Sequence, residues 1–171
     1  LARYALDEQM RYGELPSNEA LAGFRQQLMG IEIPPWLKDQ LTGAIGGALA
    51  SDHIAFAVRS SGTREDLEGA SFAGQYETVL GVRGLPALWH AILHCYASVW
   101  QPRVLEYASG RGGGALGLGM SVVVQEMVAA DTAGVMFTVN PMTGREEEVL
   151  IESVFGLGES LVSGKVTADR F

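Results

Sequence analysis

The stretch Ala57-Val58-Arg59-Ser60-Ser61-Gly62-Thr63, followed by Ser71-Phe72-Ala73-Gly74-Gln75-Tyr76-Glu77-Thr78, decides how the chain is read. The apolar run at 54–58 predicts a buried strand with Arg59 at its end. A guanidinium placed there offers a planar, permanently charged fork to phosphate oxygens. Ser60, Ser61 and Thr63 add short hydroxyl donors, and Gly74 lets a backbone N–H approach an anion with no side chain in the way. Each charge-assisted bond of this kind contributes roughly 1.5–3 kcal/mol, so several converging on a triphosphate would hold it. The same spacing admits a plainer arrangement, in which Arg59 pairs with Glu65 or Asp66 and the glycines mark ordinary turns.

Residues 1–53 read as a helical lead-in to this stretch. Ser17 is placed to cap a helix over 19–29, with Leu21, Phe24, Leu28 and Met29 on one face. Pro34 and Pro35 introduce a second helix, in which Trp36, Leu37, Leu41, Ile45 and Leu49 form an apolar stripe. Beyond the opening stretch, Tyr76, Thr78, Leu80 and Val82 alternate as a second strand. Residues 85–107 carry the longest helical pattern, with Leu88, Ile92, Cys95, Val99 and Arg103 near one face and Pro86 in the tolerant first turn. The glycine cluster at 109–114 reads as a flexible connection, because no Lys-Ser or Lys-Thr pair follows it as a phosphate-binding P-loop requires.

The β-branched runs at 121–128 and 134–139 flank a turn at Ala130-Asp131, so they are expected to pair as antiparallel neighbours, with 149–154 as a third strand. Glu146, Glu147 and Glu148 read as a solvated edge that discourages further pairing. Adjacent strand residues point to opposite faces, which argues against their sharing a metal. His90 and His94 stand one helical turn apart, but the residues between them supply no general base, so a zinc site is disfavoured. His53 reads as a surface residue.

The chain has 171 residues, with 20 acidic against 12 basic side chains and a net charge of -8. That length suits one domain or a part of one. An acidic surface without a Lys/Arg cluster argues against nucleic acid or an anionic membrane as partner, whereas a nucleotide needs only a locally positive cleft. The single Cys95 forms no internal disulfide and fits a reducing compartment, so a cytoplasmic location is expected. No apolar run approaches the ~20 residues that cross a bilayer. The chain opens at Leu1 rather than Met and is expected to be a fragment of something longer.

The ordered run AVRSSGTREDLEGASFAGQYET at 57–78 resembles the signature of the nucleotide-binding domain shared by phosphoenolpyruvate synthase, pyruvate phosphate dikinase and rifampicin phosphotransferase. Further motifs of that family recur in order: Val122-Val123-Val124-Gln125-Glu126-Met127-Val128, Ala133-Gly134-Val135-Met136-Phe137-Thr138, Asn140-Pro141 with Thr143-Gly144, and Phe155-Gly156-Leu157-Gly158-Glu159 with Val162-Ser163-Gly164. The resemblance implies an α+β ATP-grasp domain with a mixed or antiparallel sheet and packed helices. It sets 1–53 as a connecting segment and 54–171 as the nucleotide-binding core, truncated at both ends.

The same resemblance implies an ATP-dependent phosphotransferase with ATP and magnesium as cofactors. A phosphoryl group would pass to a histidine on a separate, swivelling domain and then to pyruvate or another small acceptor. Carried over by position, Arg59 matches the arginine on the phosphates, Gly74 and Thr78 the phosphate-side loop and strand, and Gln125 the residue at the adenine edge. The backbone near Glu126 and Met127 can offer adenine a donor and an acceptor, and Met127 a soft apolar wall. Glu152 and Glu159 are the next carboxylates to consider, while Gly156, Gly158 and Gly164 read as turns requiring positive φ.

Gly62 departs from the alanine that relatives usually carry. The family's phosphate-binding lysine would precede Leu1 and its magnesium-holding stretch would follow Phe171, so no catalytic or metal-binding residue is expected in this segment. Two alternatives stand beside a phosphoenolpyruvate-synthase-like enzyme: an antibiotic phosphotransferase of the rifampicin type, and a non-catalytic nucleotide-binding module. No oligomeric state follows from the sequence.

Overall fold

The computed structural model describes residues 15–51, 53–62, 66–67, 70–71, 77–109 and 120–171. Packing divides the chain into two units, Leu1–Met127 and Val128–Phe171. Gly74, Thr63 and the glycine cluster around 110–114 lie outside the described residues.

In the first unit, helix α1 (Asn18–Met29) starts where the Ser17 hydroxyl accepts the Ala20 N–H at 3.2 Å. That bond satisfies one of the amide donors the first helical turn leaves unpaired. Leu21 and Phe24 are buried with Leu105, and Leu28 and Trp100 pack around them. The Phe24 and Trp100 rings meet edge to face at 4.6 Å. Helix α2 (Pro35–Leu49) lays Leu41, Ile45, Ala48 and Leu49 against the neighbouring core. Trp36 does not join that stripe and is 62% exposed. The stripe runs back from Ile45 and Leu41 to Leu37, and Trp36 stands about 100° around the helix from it.

The core of this unit is a three-stranded antiparallel sheet under helix α3 (Gly84–Ser98). Strand β1 (Phe56–Gly62) is central, with β4 (Thr78–Val82) on one side and β5 (Met120–Glu126) on the other. Leu88, Ala91, Ile92 and Cys95 of α3 are buried against Phe56, Val58 and Val82. The short strands β2 (Asp66–Leu67) and β3 (Ala70–Ser71) form a separate two-stranded ladder.

Four departures from the sequence reading have local physical causes. First, β1 continues past Arg59 because Ser60, Ser61 and Gly62 pair with Val122, Ser121 and Met120, so Arg59 is a mid-strand residue. Second, the alternation expected on β4 breaks. Phe56 pairs with Val82 but Val58 pairs with Val79, so two steps on β1 match three on β4. Gly81 absorbs the extra residue at φ 72°, a left-handed conformation that glycine adopts without strain. Val79 and Val82 therefore both turn to the core, and Leu80 is left 38% exposed.

Third, the long helix expected over 85–107 is two helices, α3 and α4 (Pro102–Ser109). Proline has no N–H and its ring clashes with the carbonyl four residues earlier, so Pro102 begins a helix and cannot continue one. Fourth, the runs at 121–128 and 134–139 do not pair with each other. β5 pairs with β1, whereas β6 (Thr132–Phe137) pairs with β7 (Leu150–Phe155), which pairs in turn with β8 (Asp169–Arg170). The connection between β5 and β6 lacks the Asn-Gly type of pair that closes a two-residue hairpin. Instead the Ala130 N–H donates to the Val128 carbonyl at 2.9 Å, a three-residue turn.

The second unit is the antiparallel sheet β6-β7-β8 with a short helix, α5 (Glu159–Val162). Gly134 is required in β6 because a Cβ there would stand 2.7 Å from the Glu152 carbonyl oxygen. Of the three glycines read as turn markers, Gly156 and Gly164 have φ of 79° and 67°. Gly158 is a correction: its φ of -63° precedes α5 and is open to any residue. Among the described residues, no helix is long and apolar enough to cross a membrane.

Candidate functional site

Four of the five candidate residues, Arg59, Thr78, Gln125 and Met127, are in the first unit's described segments, and strand register assigns them to one face of the sheet. Phe56 and Val58 point into the core beneath α3, so Ala57, Arg59 and Ser61 point the other way. Cross-strand partners share a face. Arg59 pairs with Thr78 on β4 and with Val123 on β5, and Ala57 pairs with Gln125. The face opposite the helix thus carries Arg59 and Thr78 side by side, with Gln125 one pair further along β5. All three are exposed. Among the described side chains, none forms an ion pair with Arg59; Glu65 and the Asp66 side chain lie outside the description.

Met127 follows Gln125 by two residues and continues the ladder, its N–H donating to the Ala55 carbonyl at 2.8 Å. Its Sδ accepts the Gly81 N–H at 3.1 Å, so the side chain reaches towards the bulge on β4. Gly74, the fifth candidate, lies outside the described residues, as does Thr63.

Ser60 leaves the set of proposed hydroxyl donors. It points to the core face, and its Oγ donates to the Glu77 carbonyl at 2.8 Å. Ser61 keeps the orientation of Arg59 and pairs with Ser121 on β5.

The residue that sequence reasoning passed over is Glu77, immediately before Thr78. Its carboxylate Oε1 accepts from the Arg103 guanidinium at 2.9 Å and from the Gln101 amide at 3.1 Å. Its carbonyl accepts the Ser60 hydroxyl and, at 3.6 Å, the Cys95 thiol. The thiol is also 3.6 Å from the Val58 carbonyl. Burial first, and the nearby Glu77 charge second, push the Cys95 thiol up to about 11, so it stays protonated and unreactive. Glu77 has no periodicity to announce it, since its partners are 24 and 26 residues further along the chain.

In the second unit, the carboxylates singled out are engaged locally. Glu152 is the register partner of Arg170 and takes its Nε at 2.7 Å. Glu159 pairs with Lys165 at 2.8 Å, and that partner holds its carboxyl below the usual range. Glu148 accepts from Arg145 at 2.8 Å, from Asn140 at 2.7 Å and from Thr143 at 3.3 Å. The Arg145 guanidinium, then Asn140 and Thr143, hold it low. His53, His90 and His94 are exposed. Among the described residues, no three His, Cys, Asp or Glu side chains converge as metal ligands would.

A family model described as the pyruvate phosphate dikinase AMP/ATP-binding domain matches residues 14–171. The chain belongs to this family. Its similarity to whole proteins agrees: it is 42% identical over 150 residues to the phosphoenolpyruvate synthase of Aeropyrum pernix, covering 86% of this chain and 18% of that protein. A probable phosphoenolpyruvate synthase of Methanothermobacter thermautotrophicus is 46% identical over 123 residues, covering 72% of this chain and 18% of the relative. The rifampicin phosphotransferase of Streptomyces sviceus is 42% identical over 152 residues, covering 88% of this chain and 17% of the relative. This AMP/ATP-binding domain therefore spans less than a fifth of the length of these curated relatives.

Proposed function

We propose that this AMP/ATP-binding domain holds ATP through Arg59, Gly74, Thr78, Gln125 and Met127, within a complete protein of ATP-grasp architecture whose nucleotide-binding core begins near residue 54. There it moves a phosphoryl group from ATP to a histidine on another domain and then to pyruvate, as a phosphoenolpyruvate-synthase-like enzyme. The observation that carries this reading is the pairing of Arg59 with Thr78 on an exposed sheet face. A guanidinium beside a hydroxyl supplies charge and directional donors to phosphate oxygens. Gln125, on the adjacent strand β5, shares that face and is proposed to meet the base end of the same ligand.

Magnesium belongs to the proposal for the complete protein only. In the second unit Glu148, Glu152 and Glu159 are each ion-paired locally, and among the described residues no three carboxylates converge as a magnesium cage requires. Phosphoryl transfer needs positive charge around the spreading negative charge of its transition state, and Arg59 would supply one part of it. A cytoplasmic site of action fits the unreactive, buried Cys95.

A second reading has its own support: the rifampicin phosphotransferase relative is as similar to this chain as the Aeropyrum pernix synthase, at 42% identity each. The complete protein, given ATP carrying labelled phosphate, magnesium and either pyruvate or rifampicin, separates the readings. Label on a histidine and then on pyruvate supports the synthase, and label on rifampicin the antibiotic phosphotransferase. ATP binding without turnover or histidine labelling would leave a nucleotide-binding module and remove both enzyme readings.

A further inference from the structure

We infer that Glu77 is a positioning residue that clamps the start of β4 so that Thr78 stands in register with Arg59; this rests on the nucleotide-site reading above. Thr78 is the first residue of β4, and strand ends fray unless something holds them. Glu77 is held at both its carbonyl and its carboxylate. The carbonyl accepts the Ser60 N–H at 3.4 Å and the Ser60 hydroxyl at 2.8 Å, which ties it to β1 directly beside Arg59. The same carbonyl lies 3.6 Å from the Cys95 thiol on α3.

The carboxylate reaches the opposite way in sequence. Gln101, in the break between α3 and α4, donates at 3.1 Å, and Arg103, in the first turn of α4, donates at 2.9 Å. Glu77 is half-buried, with its side chain 34% accessible, and its bond to Gln101 is partly shielded from water while that to Arg103 is exposed. One residue therefore joins β1, β4, α3 and the α3–α4 break at the point where the candidate phosphate contacts begin. Gln101 and Arg103 flank the break at Pro102, and both donate to the Glu77 carboxylate.

The clamp acts through Thr78 and Arg59, so its loss should loosen β4 and weaken nucleotide binding together. The test uses the complete protein with three variants: Glu77→Ala, Glu77→Gln and Arg59→Ala. Val154→Ala serves as a control, since it truncates a buried side chain on β7, an element that supplies none of the clamp's residues. Three quantities are read: hydrogen exchange at the amides of Thr78, Val79 and Leu80 without nucleotide, the ATP dissociation constant by calorimetry, and the melting temperature.

Glu77→Ala is expected to speed exchange at those amides and to weaken ATP binding by about tenfold. Glu77→Gln keeps an acceptor oxygen for Gln101 and Arg103, and is expected to recover part of both losses. Val154→Ala is expected to lower the melting temperature while leaving the ATP constant within about twofold of the parent; an equal loss of ATP affinity in Val154→Ala would make the Glu77→Ala loss a general effect of destabilisation and overturn the positioning role. Unchanged exchange in Glu77→Ala overturns the clamp. Faster exchange with unchanged ATP affinity, while Arg59→Ala loses affinity, overturns the positioning role alone. If Arg59→Ala itself binds ATP normally, the nucleotide-site reading has failed and the positioning role falls with it.

Discussion

The Met127 thioether accepts a hydrogen bond from the Gly81 N–H at 3.1 Å, linking the end of β5 to the one residue of β4 with left-handed backbone. That residue sets the register of the whole strand. It absorbs the step by which Val79 and Val82 both face the core, and it leaves Thr78 opposite Arg59.

Gly81→Ala should therefore destabilise β4 by about 1–2 kcal/mol, because a Cβ at positive φ crowds the following carbonyl. Space does not enter into it, as no heavy atom lies within 4 Å of the position a Cβ would take. Gly23→Ala makes the contrast. Gly23 lies inside α1 with the same empty surroundings but helical backbone, so alanine there should stabilise by up to about 1 kcal/mol. Native-state hydrogen exchange of the two strands and α1 reads both changes, and equal effects of the two substitutions would remove the backbone argument.

Arg59→Ala in the complete protein should weaken ATP binding at least about tenfold, or about 1.4 kcal/mol. Arg59→Lys should recover only part of this, because an ammonium keeps the charge and loses the planar fork. Thr78→Ala should cost less than Arg59→Ala, since a neutral hydroxyl contributes about half as much as a charged donor. Calorimetric titration with ATP ranks the three, and a Thr78→Ala loss larger than that of Arg59→Ala would reverse their roles.

What could be read from the sequence depended on how far each signal reached along the chain. The Ser17 cap, the α1 face of Leu21 and Phe24, and the β1 core run are set by neighbours within a turn or a pleat, and each is found where its pattern pointed. The pairing of Arg59 with Thr78 spans 19 positions but lay within one recognisable run of residues. Other features were decided by contacts that no local pattern encodes. β5 has the same β-branched character whether it pairs with β1 or β6, and only the packing of Val122 and Val124 on the Val58 cluster distinguishes them. Leu80 looked like a core residue until the bulge at Gly81 shifted the parity. Ser60 looked like a phosphate donor because it adjoins Arg59, yet alternation along the strand turns it to the other face.

Cys95 gives a pH prediction with a definite sign. The folded thiol is raised to about 11, against about 8.5 for a free cysteine, so folding favours the protonated form. Its contribution is complete below about pH 8.5 and is lost as pH rises through the folded value. Stability of the sheet should fall with a slope of up to about 1.4 kcal/mol per pH unit across that window. Urea unfolding at several pH values between 8 and 11 checks this, and Cys95→Ala should remove the slope while lowering stability at pH 7. Alkylation by iodoacetamide at pH 8 should be slow in the native protein and fast in urea.

The loop of the second unit offers the opposite sign. Glu148 is held below the ordinary carboxylate range by Arg145 first, then by Asn140 and Thr143. Asn140 is bound to the same loop twice more, its side-chain oxygen accepting the Met142 and Thr143 N–H groups at 2.9 and 3.2 Å. A depressed folded value means that the stabilisation is present above the ordinary glutamate value of about 4.3 and disappears as pH falls through the folded one. Carboxyl NMR titration of the complete protein should find Glu148 titrating below that reference. Arg145→Ala should move it most of the way back, and Asn140→Ala by a smaller step, in the order of their contributions. A Glu148 titration that ignores Arg145→Ala would mean that the guanidinium, exposed as it is, is screened by water and does not hold the carboxylate.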